Sequence, residues 1–334
     1  MKIGRRSLLG GALGAGVLAA TSASAQGWGD PPTPAASDPD APLWPAKERI
    51  QLWPGRPPGA PSKPIAANNT MNGPKGGREL WLRGVATPEV HVFRPARPDG
   101  SALLSLPGGG YQFLSVQNEG LDVAQHFNAG GTTVFVLAYR LAGEGWAQRD
   151  LVALQDAQRA MRLIRANARE LRIDPARLGI VGFSAGGHLA ADLSVAHGDR
   201  IYEPVDAADR ESARPAYAGL VYPVTSLRDR APNSRSGEFL LGPAPSRQRV
   251  DARSPLLRVG KDTPPSFLVH ASDDPVVPLE NTLDWLAACR ANGVKCDAHI
   301  FGEGGHGFGL HLPRDLPGSR WPELFGLWLR KHGG

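Results

Sequence analysis

A serine between two glycines, in Gly182-Phe183-Ser184-Ala185-Gly186, is the segment of this chain best suited to covalent chemistry. It follows an apolar run at 178–181 and precedes a helix-forming run at 187–196. A serine at such a strand-to-helix junction sits on a strained turn that presents its Oγ at the carboxyl edge of a sheet. The glycines suit the turn because a Cβ would clash where strand and helix converge. The competing interpretation is a tight turn whose serine only caps the helix.

A serine hydroxyl becomes a useful nucleophile when a base takes its proton and a dipole trap receives the oxyanion. Leu106-Pro107-Gly108-Gly109-Gly110-Tyr111 follows another apolar run, and its three glycines let backbone N–H groups approach a substrate carbonyl. Gly109 or Gly110 would donate jointly with the Ala185 N–H. Such loops commonly open with histidine, where this chain has Pro107; the donors are backbone groups, so the change costs little. No Lys-Ser/Thr pair follows, which argues against a phosphate cradle. Tyr111 and Phe113, just beyond, are candidates to close the acyl side or stack on a sugar, or else to pack beneath the loop.

Chain order in such sites runs serine, acid, histidine. Of the nine histidines, His306 stands out in Gly302-Glu303-Gly304-Gly305-His306-Gly307-Phe308, a loop following the last apolar run. His270 and His299 fall within predicted strands, and His311 and His332 read as surface residues. The acid belongs after the penultimate strand, in Ser272-Asp273-Asp274-Pro275-Val276-Val277-Pro278. Asp274 is the choice because the Asp-x-x-Val-Pro spacing ends in a helix start headed by the acid. Asp273 is left as a turn cap.

The elements needed to position these groups are legible as a pattern. Short, largely apolar segments at 102–106, 133–137, 178–181, 218–221, 266–270 and 298–301 suit parallel strands buried on both faces. Helical stretches lie between them. In 150–167 Leu154, Ala157, Met161 and Ile164 share one face, and Arg159, Arg162 and Arg165 keep to the other. Strands alternating with helices predict an α/β fold, a mostly parallel doubly wound sheet with helices on both faces. Residues 80–85 and 89–94 read as two further short strands. The stretch 228–264, rich in Pro, Arg and Ser, reads as a loop that overhangs the site or as a disordered insertion. Its Arg228, Arg230, Arg235, Arg247, Arg249 and Arg253 would make a basic roof, favouring a hydroxyl-rich alcohol over a fatty acyl tail.

Length and composition bound the rest. The 334 residues suit one catalytic domain, assigned here to 65–334. Residues 1–25 read as a cleaved export signal with Arg5-Arg6 ahead of a glycine-diluted apolar run, a twin-arginine-like start or else an ordinary Sec signal with two chance arginines, and either places the protein in the periplasm or outside the cell. The segment is too short and glycine-rich for a stable membrane anchor. Residues 26–64, rich in proline, alanine and glycine, read as an extended arm partly docked through Trp28, Trp44 and Trp53. The net charge of +5 loses Lys2, Arg5 and Arg6 with the signal and falls to +2, too balanced for a nucleic-acid footprint. Cys289 and Cys296 are the only cysteines, too few for a metal site; in an oxidising compartment they are a possible disulfide, and otherwise two reduced thiols. Neither a metal nor an organic cofactor is implied, and the oligomeric state is not legible.

With these residues in place, the chain resembles the carbohydrate-esterase branch of the α/β-hydrolases, which includes acetyl xylan esterases and feruloyl-esterase-like proteins, some labelled xylanase. The resemblance covers the chain from about Ile50 and rests on LWPGRPPGA, PGGGYQFL, VLAYR, RLGIVGFSAGGHLA, RPAYAGLVYPV, HASDDPVVPLEN and FGEGGHGFGL, in that order. It implies the α/β-hydrolase fold, a triad of Ser184, Asp274 and His306, oxyanion donors at Gly109, Gly110 and Ala185, and a carbohydrate ester as substrate, with acetyl as the acyl group. Xylan follows only from the resemblance. Other readings are a general short-chain carboxylesterase, an exopeptidase of the prolyl-oligopeptidase type without room for its propeller, and a catalytically silent carbohydrate-binding protein.

Overall fold

The computed structural model describes residues 31–74, 76–228 and 235–332. The export signal, Trp28 and Arg230 lie outside the described residues.

The strands, in chain order, are β1 Thr33–Pro34, β2 Arg49–Gln51, β3 Thr70–Asn72, β4 Glu79–Leu82, β5 Glu89–Phe93, β6 Ala102–Leu106, β7 Leu114–Ser115, β8 Thr133–Ala138, β9 Leu178–Phe183, β10 Ala218–Val221, β11 Ser266–Ala271 and β12 Cys296–Phe301. The helices are α1 Asp122–Ala129, α2 Val152–Ala166, α3 Ala168–Leu171, α4 Ser184–Ala196, α5 Ser236–Leu241, α6 Arg247–Ala252, α7 Glu280–Ala291 and α8 Trp321–His332. Eight strands form the main sheet in the order β12-β11-β10-β9-β6-β8-β5-β2. The run from β12 to β8 is parallel, and β5 and β2 add antiparallel strands at the far edge. A small antiparallel sheet joins β1, β3, β4 and β7.

Side chains of a strand alternate between faces, and both faces of this sheet are covered, so the central strands are apolar throughout. Leu104, Leu106, Phe135, Leu137, Ile180, Leu220 and Leu268 pack on one side with residues of α2, α4 and α7. Leu103, Val134, Val136, Val181, Val221, Phe267 and Val269 pack on the other with α1 and α8. The arrangement is the expected doubly wound sheet, and it aims the carboxyl ends of β6, β9, β11 and β12 at one crevice, where open α/β sheets bind ligands.

Three expectations change. The proline-rich arm does not merely run extended. It adds β2 to the sheet edge and buries Leu52 and Trp53, and the Trp53 indole donates to Asp156 Oδ1 at 2.8 Å. Asp156 is paired in turn with the fully buried Arg140, whose guanidinium also donates to the arm's Pro58 carbonyl at 2.7 Å. A buried charge needs every donor satisfied, and the arm completes that set.

The segment 228–264, where it is described from 235 to 264, is folded and not a loop: it carries α5 and α6, and Leu240 and Leu241 are buried. Its described arginines form no free basic roof. Arg228 and Arg247 pair with Asp251, Arg235 with Glu238, Arg249 with Asp150 and Arg253 with Asp192.

The third change concerns Cys289, buried on α7, and Cys296, which opens β12. They are free thiols and not the possible disulfide. Interaction with the neighbouring Cys296, and more weakly with Ser266, lowers the proton affinity of the Cys289 thiol against the opposing effect of burial.

Candidate active site

Ser184 stands where β9 becomes α4, with φ of +52°, a left-handed backbone that a non-glycine residue adopts only under local constraint. The constraint is visible on both sides. A Cβ on Gly182 would lie 2.2 Å from the Gly186 carbonyl oxygen, and one on Gly186 would lie 2.0 Å from the Leu106 oxygen and 2.5 Å from the Pro107 oxygen. The helix thus passes directly against the loop that follows β6. For Gly186→Ala, where only backbone could yield, overpacking of about 1–3 kcal/mol is expected. A loop displaced by about 1 Å should also cost roughly a hundredfold in turnover. Thermal melting and ester hydrolysis together check this, and a variant with wild-type melting and turnover would contradict the close contact.

The loop after β12 brings His306 over the serine. Its Nε2 lies 2.9 Å from Ser184 Oγ and its Nδ1 2.7 Å from Asp274 Oδ2. Asp274 sits just past β11, its carboxyl buried, and its Oδ1 accepts the N–H groups of Val276 and Val277 at 2.8 and 2.9 Å. Burial raises the proton affinity of this carboxyl. Hydrogen bonds from His270 and His306, with the charge of His306, outweigh it and hold the group well below the usual carboxylate range.

Asp273 is exposed and serves elsewhere: it accepts the N–H groups of Gly305 at 2.8 Å and Gly304 at 3.3 Å, fixing the backbone that carries His306. The two neighbouring aspartates therefore divide the work, one meeting the imidazole and the other its loop.

Across the crevice, the glycine loop is pinned from every side. Gly108 donates its N–H to Glu119 Oε2 at 2.6 Å and accepts the Ser115 N–H at 3.1 Å, and the Gly109 carbonyl accepts from Gln112 and Phe113. Gly109 adopts φ of +122°, and a Cβ there would lie 2.2 Å from the Phe113 oxygen, so only glycine fits. Among the described residues no protein acceptor takes the N–H of Gly109 or Gly110. Ala185, in the first turn of α4, has no intrahelical acceptor for its N–H.

Tyr111 is not placed to touch a ligand. It is 1% exposed and runs beneath the loop, where its hydroxyl meets His188 Nδ1 at 2.7 Å. A buried phenol needs such a partner, and His188 on α4 provides it. Phe113 stays half-buried at the rim, stacked on Trp81 at 3.7 Å between ring centroids with the Arg83 guanidinium over it.

Three contributors were not legible as site residues. His270 was read only as a strand residue, but its Nε2 lies 3.3 Å from Asp274 Oδ2 and 3.0 Å from the Val277 carbonyl, while Nδ1 pairs with the Thr282 hydroxyl. Because a carbonyl can only accept, Nε2 carries the hydrogen and Nδ1 accepts from Thr282. Glu119 and Tyr222 were missed altogether. Tyr222 directly follows β10, and its position at a strand's carboxyl end was the available signal.

Comparison with known proteins agrees with this geometry. The BD-FAE family model matches residues 96–287. An acetylxylan esterase of Xylanibacter ruminicola is 31% identical over 255 residues, covering 73% of this chain and 45% of that protein. This chain therefore spans under half the length of that relative. Among solved structures, an acetyl ester-xyloside bifunctional hydrolase from Caldicellulosiruptor lactoaceticus superposes with a TM-score of 0.72 at 33% identity, covering 86% of this chain and 97% of that one. The propionate-bound esterase 2 of Thermogutta terrifontis gives 0.61 at 26% identity, over 73% and 89% of the respective chains. With the family's pattern matched over more than half its length, and the elbow, glycine loop and histidine loop meeting at one sheet edge, the chain belongs to the BD-FAE family of α/β-hydrolases.

Proposed function

We propose that this protein is a serine carboxylic-ester hydrolase that removes short acyl groups, acetyl foremost, from carbohydrate esters such as acetylated xylan. The observation that carries the reading is the hydrogen-bonded series Ser184 Oγ, His306, Asp274, with the glycine loop packed against the serine: a Cβ on Gly108 would lie 3.0 Å from the Ser184 Cβ. In this mechanism His306 Nε2 takes the serine proton as Oγ attacks the ester carbonyl. The oxyanion is held by the N–H groups of Gly109, Gly110 and Ala185. Asp274 keeps the imidazole hydrogen on Nδ1 and stabilises the imidazolium. The proton then passes to the departing alcohol, and water, activated by the same histidine, releases the acid.

The carbohydrate half of the reading is supported by the names of the Xylanibacter and Caldicellulosiruptor relatives. The short acyl group has support of its own. Each buried methylene contributes only about 0.8 kcal/mol, so a long-chain enzyme needs an extended apolar roof. Among the described residues between β10 and β11, the α-helices are α5 and α6, of 6 residues each, and α6 buries none of its side chains. The described arginines expected to make that region basic are ion-paired, so the reading rests on the scarcity of apolar surface and not on charge. The Thermogutta structure, with propionate bound, is in keeping with a small acyl site.

Acetyl esters are expected to exceed butyryl esters in kcat/KM on one common alcohol, with octanoyl esters poor. A panel of acetylated xylo-oligosaccharides, feruloylated arabinoxylan and aryl esters of graded acyl length tests both halves. Octanoyl turnover equal to acetyl would replace the reading with a general lipolytic carboxylesterase. Equal kcat/KM for acetylated sugars and simple aryl acetates would leave a short-chain esterase without a carbohydrate preference.

A further inference from the structure

Beneath the glycine loop lies a buried carboxyl that no step above uses. Glu119, 3% exposed, sits in the wide helical turn at Gln117–Leu121 that leads into α1. Its Oε2 accepts the Gly108 N–H at 2.6 Å and its Oε1 pairs with the Tyr222 hydroxyl at 2.8 Å. Tyr222 continues the line: its Oη accepts the Gly309 N–H at 2.9 Å, and its ring centroid lies 4.9 Å from that of His306. The Gly309 carbonyl in turn accepts the Trp321 indole N–H at 2.8 Å, anchoring this segment to α8. Next to Glu119, Asn118 donates to the Gly307 carbonyl at 2.9 Å, a second tie between the same turn and the histidine loop.

This arrangement is costly for a group that only fills space. No cation pairs with Glu119 among the described residues, and burial, opposed by the bonds from Gly108 and Tyr222, raises its proton affinity to about 8. Tyr222 itself adopts a left-handed φ of +37°, strain that a tyrosine accepts only where surrounding contacts require it. Both expensive features fall at the junction of the two loops that carry the reacting groups.

We propose that Glu119 is a positioning residue for acyl transfer: through Tyr222 it joins the glycine loop to the histidine loop, setting the distance between the Gly109 and Gly110 N–H groups and the Ser184–His306 pair. The inference rests on the hydrolase reading above. Because the oxyanion donors act mainly after Oγ attacks, loosening the tie lowers kcat and leaves KM nearly unchanged.

The test uses the full chain with an aryl acetate, and includes Tyr222→Phe, Glu119→Ala, their double variant and Glu119→Gln. Tyr222→Phe removes one hydroxyl and keeps the ring. It and Glu119→Ala should each lower kcat about tenfold or more with KM within about twofold, the scale of a small misplacement of the donors. The double variant should be no slower than the poorer single, since both cut one connection. Glu119→Gln should recover part of kcat, lying clearly above Glu119→Ala, because an amide oxygen still accepts from Gly108 while its nitrogen donates to the Tyr222 oxygen, reversing the wild-type bond in which Tyr222 donates. If Glu119→Ala does not fold, Tyr222→Phe decides. Overturning results are a Tyr222→Phe kcat within about threefold of wild type, losses that multiply in the double variant, or a Glu119→Gln as slow as Glu119→Ala. Fluorophosphonate labelling of the wild type separates the two readings: without labelling or hydrolysis the hydrolase reading itself fails, whereas labelling with unaffected variants removes only the role of Glu119.

Discussion

Ser184→Ala and His306→Ala are each expected to lower ester turnover by about 10⁴-fold or more and to abolish covalent labelling by a fluorophosphonate, with the melting transition nearly unchanged. The size follows from the geometry. Ser184 Oγ and His306 Nε2 stand 2.9 Å apart, and without either one there is no route to the acyl-enzyme. The residual rate then comes from the N–H groups of the glycine loop and from substrate binding, and it should be similar in the two variants and in their combination, because nucleophile and base act as a unit. Stability should hold because alanine keeps the serine Cβ that the elbow already accommodates, and His306 lies in a loop with part of its side chain exposed. Turnover within tenfold of wild type in either variant would remove these residues from the mechanism.

Asp274→Asn is expected to be nearly as damaging, on the order of 10⁴-fold in kcat, while Asp273→Asn costs only a few-fold. Two backbone donors, Val276 N–H and Val277 N–H, fix which atom of the new amide faces them: its oxygen must accept there, leaving the amide nitrogen toward His306 Nδ1. That nitrogen is a donor, so the imidazole hydrogen would move to Nε2, where it faces Ser184 and cannot accept the serine proton. At Asp273 an amide oxygen still accepts from Gly305, and only the longer bond to Gly304 is lost.

The same substitution has a pH signature. A carboxylate whose proton affinity is depressed by folding contributes stability that is present above its unfolded pKa of about 4 and is lost as pH falls toward the lower folded value. Wild type should therefore lose stability on acidification below about pH 4 more steeply than Asp274→Asn. Urea titrations at a series of pH values check it, and parallel curves would refute the role of the charged form. The reverse order of activity between the two asparagine variants would move the acid to Asp273.

What the sequence determined by itself was what depends on local backbone. Gly182, Gly186 and Gly109 are legible because only glycine tolerates backbone oxygens at about 2 Å from a would-be Cβ, and the apolar runs around them define the strands that end there. Ser184, His306 and Asp274 follow from their places after those strands, with the Asp-x-x-Val-Pro spacing separating Asp274 from its neighbour. The tertiary structure decided whatever depends on partners far along the chain. Tyr111 turns inward because His188 waits beneath the loop, 77 positions on. The arm is a sheet edge and not a tether because Trp53 meets Asp156, 103 positions away. Arg228, Arg249 and Arg253, described after β10, are spent on aspartates that no local pattern associates with them, and the Glu119–Tyr222 contact spans 103 positions between segments with no shared motif. Periodicity and turn chemistry act over a few residues, whereas burial of a polar group obliges it to find a partner wherever the fold brings one, and that obligation becomes visible only when the chain is packed.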